Sequence, residues 1–148
     1  MSMKSQQNNL KRLADLLSRD LSDIWGEREC GPNGDKKTFL NLGKTFLRAL
    51  AKDLGLRDVR VISNPGGIAV SGSCDLYGMW QTAGLFLTME QFPLGGNVIL
   101  YRTIRDLNDH KGGYNRFIRL DELKTLSYEE LLDRLGALNK DEERAWAA

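Results

Sequence analysis

Leu85-Phe86-Leu87-Thr88-Met89-Glu90, then Pro93-Leu94-Gly95-Gly96, then Val98-Ile99-Leu100-Tyr101-Arg102-Thr103-Ile104: two alternating runs joined by a turn. In the first run Leu85, Leu87 and Met89 share one face and Phe86, Thr88 and Glu90 the other. In the second, Val98, Leu100 and Ile104 alternate with Ile99, Tyr101 and Thr103. A period of two puts successive side chains on opposite faces of a strand. The connection is too short for the crossover that parallel neighbours require, so the two strands run antiparallel. Upstream, Ile68, Val70, Gly72, Cys74 and Leu76 alternate with Ala69, Ser71, Ser73, Asp75 and Tyr77. Before them Val59-Arg60-Val61-Ile62 is short and β-branched, and Asn64-Pro65-Gly66-Gly67 closes it with a turn. The expectation is a four-stranded antiparallel meander, with Phe117-Ile118 as a marginal fifth strand.

Helical periodicity brackets the strands. Leu10, Leu13, Leu17, Leu21 and Ile24, widened by Leu16 and Trp25, make one apolar stripe opposite Lys11, Asp15, Arg19 and Asp23, predicting a helix to about residue 25. Gly31-Pro32-Asn33-Gly34 marks a loop over 26–37. A second helix, capped by Thr38 or Asp35, presents Phe39, Leu42, Phe46, Leu50 and Leu54 and ends at Gly55. Gly43 lies inside it, at a cost of about 1 kcal/mol relative to alanine, and reads as a close approach to the sheet. Ser127-Tyr128-Glu129-Glu130 is a capping box that starts a last helix with Leu131, Leu132, Leu135 and Leu138 on its buried face. Residues 121–124 read as a short turn before it, and 139–148 as a charged tail carrying Trp146. The fold class is α+β: two N-terminal helices, the meander and a C-terminal helix, with helices on one face of the sheet.

A chain of 148 residues, 41% hydrophobic and 28% charged, reads as one domain able to bury a core without disulfides or metal. No apolar run is long enough to span a bilayer, and the polar first nine residues lack a signal core, so neither membrane insertion nor secretion is expected. Cys30 and Cys74 lack Cys-x-x-Cys spacing and read as free thiols in a reducing cytoplasm. Net charge is only +1, but it is unevenly spread. Lys37, Lys44, Arg48 and Lys52 make the second helix basic, while residues 120–148 carry eight acids against four bases. Residues 61–101 carry only Asp75 and Glu90, so the second face of the sheet, with Phe86, Tyr101, Tyr77 and Trp80, reads as neutral.

Recognition chemistry concentrates after the last long strand. Arg105, Asp106, Asn108, Asp109, His110, Lys111, Tyr114, Asn115 and Arg116 surround Gly112-Gly113. A cationic loop with an aromatic anchor at a strand end suits macromolecular contact. It fits no catalytic motif. Asp106, Asn108 and Asp109 lack the following glutamate of a calcium loop, and the flanking cations oppose a divalent ion. One histidine and two distant cysteines do not make a zinc site. The Gly-Gly pairs match no phosphate-binding loop, so no cofactor is expected. Asp109 beside His110 leaves an enzyme as an alternative, although adjacent residues rarely face each other productively. A helix, three strands and a helix also resemble a double-stranded-RNA-binding domain in element order, yet Ser127, Glu129 and Glu130 occupy the place where that domain keeps lysines.

The helix Thr38 to Leu54, the segment Pro65-Gly66-Gly67-Ile68-Ala69-Val70-Ser71-Gly72 and the stretch Tyr101 to Phe117 resemble small uncharacterised proteins of phages, plasmids and other mobile elements. The resemblance covers residues 37–120 and transfers no functional residue. By context it implies an inhibitor of host defence, like anti-CRISPR proteins, acting by occupying a partner's surface. The expectation is therefore a non-enzymatic binder with a protein partner, a nucleic acid as the alternative partner, present as a monomer or homodimer.

Overall fold

Strands that follow each other through short turns pair with their neighbours in sequence, and all five here do so in one antiparallel sheet. The computed structural model describes residues 2–22, 34–67, 69–93 and 95–140. Its strands are β1 (Arg57–Asn64), β2 (Ser73–Met79), β3 (Gly84–Met89), β4 (Asn97–Ile104) and β5 (Arg116–Arg119), in the order β1-β2-β3-β4-β5. The helices are α1 (Met3–Leu17), α2 (Asp35–Asp53), α3 (Leu120–Thr125) and α4 (Tyr128–Lys140). Phe117-Ile118 thus belongs to a true fifth strand, and residues 120–125 form a helix where the sequence suggested a turn.

The register Leu76↔Leu87↔Tyr101 and Cys74↔Met89↔Ile99↔Ile118 defines the face on which the helices lie. α2 packs on β1 and β2, α4 on β3 and β4, and α1 bridges the helical layer. Phe39, Phe46, Leu47 and Leu50 of α2 are buried in one core with Leu10, Leu13 and Leu17 of α1 and Leu131, Leu135 and Leu138 of α4. Each such side chain contributes on the order of 1.5–3 kcal/mol by leaving water. Three helices also meet at a buried polar hub. Gln6 donates through Nε2 to the Phe46 carbonyl (3.1 Å) and to the Tyr128 hydroxyl (3.2 Å). The Tyr128 hydroxyl donates to Asp53 (2.6 Å), and its amide to Gln7 (2.7 Å). Burial and the Asp53 hydrogen bond raise the Tyr128 pKa, keeping the phenol neutral.

Gly43 sits where α2 crosses β2, and a methyl group there would collide with Cys74 Sγ. The close-approach reading is correct. Cys74 is fully buried, and burial followed by the Asp75 charge pushes its thiol up to about 12.

Several boundaries move. α1 stops at Leu17, with Ser18 as C-cap, so it is shorter than the apolar stripe implied; Leu21 still reaches the core from beyond the helix end. Ile24, Trp25, Cys30, most of the loop 26–37, Ile68, Leu94 and residues 141–148 lie outside the described residues. α2 is capped by neither Thr38 nor Asp35: Gly34, at φ +70, is the N-cap, and Thr38 donates back to its carbonyl (3.0 Å). β2 begins at Ser73; Val70 is half exposed in a turn, and Gly72 takes φ +75 with a backbone carbonyl of Asn64 against it. In β4 the assumed faces are exchanged from Ile99 onward. The ladder slips between Asn97 and Ile99, both Val98 and Ile99 are buried, and Tyr101 joins the core face while Leu100 and Arg102 turn outward. Tyr101 therefore leaves the open face, and so does Trp80, which is buried and donates from Nε1 to the Leu54 carbonyl (2.9 Å). The Ser127–Glu130 capping box forms as read: Glu130 donates its amide to Ser127 Oγ (3.0 Å), and Glu130 Oε1 accepts the Ser127 amide (3.1 Å).

Candidate functional site

The segment between β4 and β5 is organised by one carboxylate. Asp109 Oδ2 accepts the Arg105 amide (2.9 Å) and Arg105 Nε (3.4 Å), while Oδ1 accepts the amides of Lys111 (3.0 Å) and Gly112 (2.9 Å). Partial burial opposes the anion, yet the amides of Gly112, Arg105 and Lys111 and the Arg105 guanidinium outweigh it and hold the carboxyl well below the usual carboxylate range. The Asp109 carbonyl in turn accepts both terminal nitrogens of Arg102 (3.3 Å each). Asp106 Oδ1 accepts the Asn108 amide (2.8 Å), a turn that starts the loop.

The Gly-Gly pair has a steric and a hydrogen-bonding reason. Gly112 takes φ +43, and a Cβ there would collide with Arg102 and the Thr103 carbonyl. Gly113 donates its amide to that same carbonyl (2.9 Å), stitching the loop back to β4.

The nine residues selected from sequence therefore separate by role. Asp109 faces inward as the organiser. Arg116 is the first residue of β5, half buried, and donates to the Tyr114 carbonyl (3.3 Å). Arg105, Asp106, Asn108, His110, Lys111, Tyr114 and Asn115 lie on the surface, Tyr114 at 65% exposure. Both Asp109 oxygens are committed to Arg105, Lys111 and Gly112, so the carboxylate does not orient His110.

Arg102 links this loop to the sheet face that no helix covers among the described residues. Its guanidinium lies 5.0 Å from the Phe86 ring centre, and Phe86 meets Tyr77 at 4.9 Å between ring centres. The register Arg60↔Tyr77↔Phe86↔Arg102 makes one cation-ring-ring-cation row across β1 to β4. The neighbouring row, Ile62↔Asp75↔Thr88↔Leu100↔Phe117, crosses all five strands. Thr88 donates to Asp75 there (2.6 Å), and Phe117, 45% exposed, packs edge-on to Phe92 (6.2 Å). Burial raises the pKa of Asp75 and, with help from Asp75, of Glu90.

Compared with family models, curated proteins and solved structures, this chain matches none.

Sequence reasoning missed Arg60, Arg102 and Phe117 as members of this face. Arg102 was the available signal: a cation inside an apolar strand belongs on the side away from the core. Among the described residues no three His, Cys, Asp or Glu side chains gather as metal ligands, and no helix is long and apolar enough to cross a membrane.

Proposed function

We propose that this protein is a non-enzymatic macromolecule-binding protein whose contact surface is the β4–β5 loop together with the adjoining open sheet face. The observation that carries this reading is the Asp109 cage. It fixes the loop backbone from within, so the outward side chains of His110, Lys111, Tyr114 and Asn115 are presented with little ordering left to lose on contact. Tyr114 is the large exposed anchor, and Phe117 and Arg102 extend the patch onto the sheet. A protein partner fits this mixture of rings, amides and both charge signs. The resemblance to mobile-element proteins points the same way, toward inhibition of a bacterial defence or nuclease complex by occupying its surface.

Capture from a bacterial lysate, with the bound complex identified by mass spectrometry, tests the assignment. Wild-type protein retains the partner and suppresses its nuclease activity, whereas Tyr114→Ala with Arg105→Ala releases it. Equal capture by both removes the loop from the contact.

The Arg60–Tyr77–Phe86–Arg102 row favours nucleic acid as a second reading, because bases stack on rings and on guanidinium planes. Asp75, in the adjoining row, opposes a phosphate backbone, and Glu90 lies near enough to feel its charge. Titration with labelled single- and double-stranded oligonucleotides decides it: salt-sensitive affinity that Arg60→Ala weakens supports a nucleic-acid partner, and no binding at low salt excludes it.

A further inference from the structure

The two ends of the sheet are unlike. β5 has four residues and runs straight into α3, whose Leu120 amide donates to the Gly96 carbonyl (2.9 Å). β1 has eight residues, and its neighbours among the described elements are β2 and α2. An outermost strand presents a row of backbone amides and carbonyls with no strand opposite them. A groove of about 440 Å³ runs here, lined by Val59, Arg60, Val61 and Ile62 with Arg48 of α2 above. Consecutive strand residues point to opposite faces, so a cavity touched by all four lies along the edge itself rather than on either face. Val59 is 40% and Ile62 48% exposed, which makes this edge apolar as well as long.

The charge around the groove has one sign. Arg48 and Arg60 line it, and neither forms an ion pair among the described residues. Asp58, the acid nearest in sequence, is held by Arg57 at 2.6 Å. Asp58 also takes φ +54 at an irregularity in the β1–β2 ladder, so regular strand geometry runs from Arg60 to Asn64.

We infer that β1 is a docking edge for an extended, acidic segment of a partner protein, which adds as a sixth strand. Its backbone pairs with β1, its apolar side chains cover the valines or Ile62, and its carboxylates meet Arg60 and Arg48. The edge lies at the opposite end of the sheet from β5 and so apart from the β4–β5 loop, while Arg60 and Ile62 belong both to this edge and to the open sheet face.

The test uses the full chain and a fluorescein-labelled hexapeptide of alternating Val and Glu, read by anisotropy at low ionic strength. Two control peptides replace Glu by Lys or carry N-methyl groups on alternate amides. The Val-Glu peptide binds and both controls fail. Arg48→Glu with Arg60→Glu, two exposed positions whose folding circular dichroism verifies, weakens binding about tenfold or more. Tyr114→Ala leaves it unchanged, which separates this site from the loop.

Three results overturn the inference: no binding of the Val-Glu peptide, equal binding of its N-methylated form, or indifference to the double arginine variant. A fourth is a dimer by light scattering that Val59→Glu or Ile62→Glu dissociates, since a second copy would then own the edge.

Discussion

At Gly43 two opposing effects can be ranked. Alanine favours the interior of α2 by about 1 kcal/mol over glycine. The same methyl group would meet Cys74 Sγ and approach Met89, both held inside the core. Overpacking of this kind costs about 1–3 kcal/mol, so Gly43→Ala is expected to lower stability in a denaturant titration. Cys74→Ala in the same chain should recover much of that loss, a coupling that a double-mutant cycle measures. Cys74 itself, with its pKa raised to about 12 by burial, should resist alkylation at pH 8 until the protein unfolds, read in a Cys30→Ser background. Asp109 makes a prediction of opposite pH sense. Its folded pKa is depressed, so its contribution is complete above the unfolded value of about 4 and is lost as pH falls toward the folded one. The stability gap between wild type and Asp109→Asn should therefore be widest near neutrality and shrink below about pH 4. A gap independent of pH would deny the carboxylate its organising role.

Elements here are held by contacts that their own sequences do not specify. α4 is the exception at its start, where Ser127 and Glu130 cap each other within one turn. Its attachment is another matter: Tyr128 reaches Gln6 and Asp53, residues far apart in the chain. Tyr128→Phe should cost about 1–2 kcal/mol, because the ring stays packed against Phe46 while the Gln6 and Asp53 hydrogen bonds are lost. Thermal unfolding of that variant checks the figure. β4 carries the converse lesson. Its alternation is plain, yet pairing decides which residues face the helices: the register with β3 sets Ile99 beside Met89 and Tyr101 beside Leu87, and the ladder to β5 slips between Asn97 and Ile99. No local pattern encodes it.

For the molecule as a whole, one core among the described residues joins α1, α2, α3 and α4 to the sheet. α1 buries Leu10, Leu13, Leu16 and Leu17. At about 1.5–3 kcal/mol each, their burial is comparable to the net stability of a typical domain, about 5–15 kcal/mol. Removing residues 1–22 is accordingly expected to abolish cooperative unfolding, seen as a flat calorimetric trace. A truncated chain that melts sharply would show that α2, α4 and the sheet suffice. At this scale the sheet face that no helix covers among the described residues also acquires meaning. It brings Tyr77 and Phe86, distant in the chain, beside Arg102, which itself holds the loop around Asp109.

The sequence alone determined the α+β class, the antiparallel meander, the final helix with its cap, the packing reason for Gly43 and the location of the polar loop. Each of these follows from interactions spanning a few residues: side-chain alternation, helical period, turn chemistry and capping. Tertiary structure decided where α1 ends, which face of β4 is buried, that Asp109 turns inward while Tyr114 turns out, and that β1 forms a long cationic edge. Those outcomes depend on partners brought together from distant parts of the chain, and burial against such partners outweighs local preference wherever the two disagree.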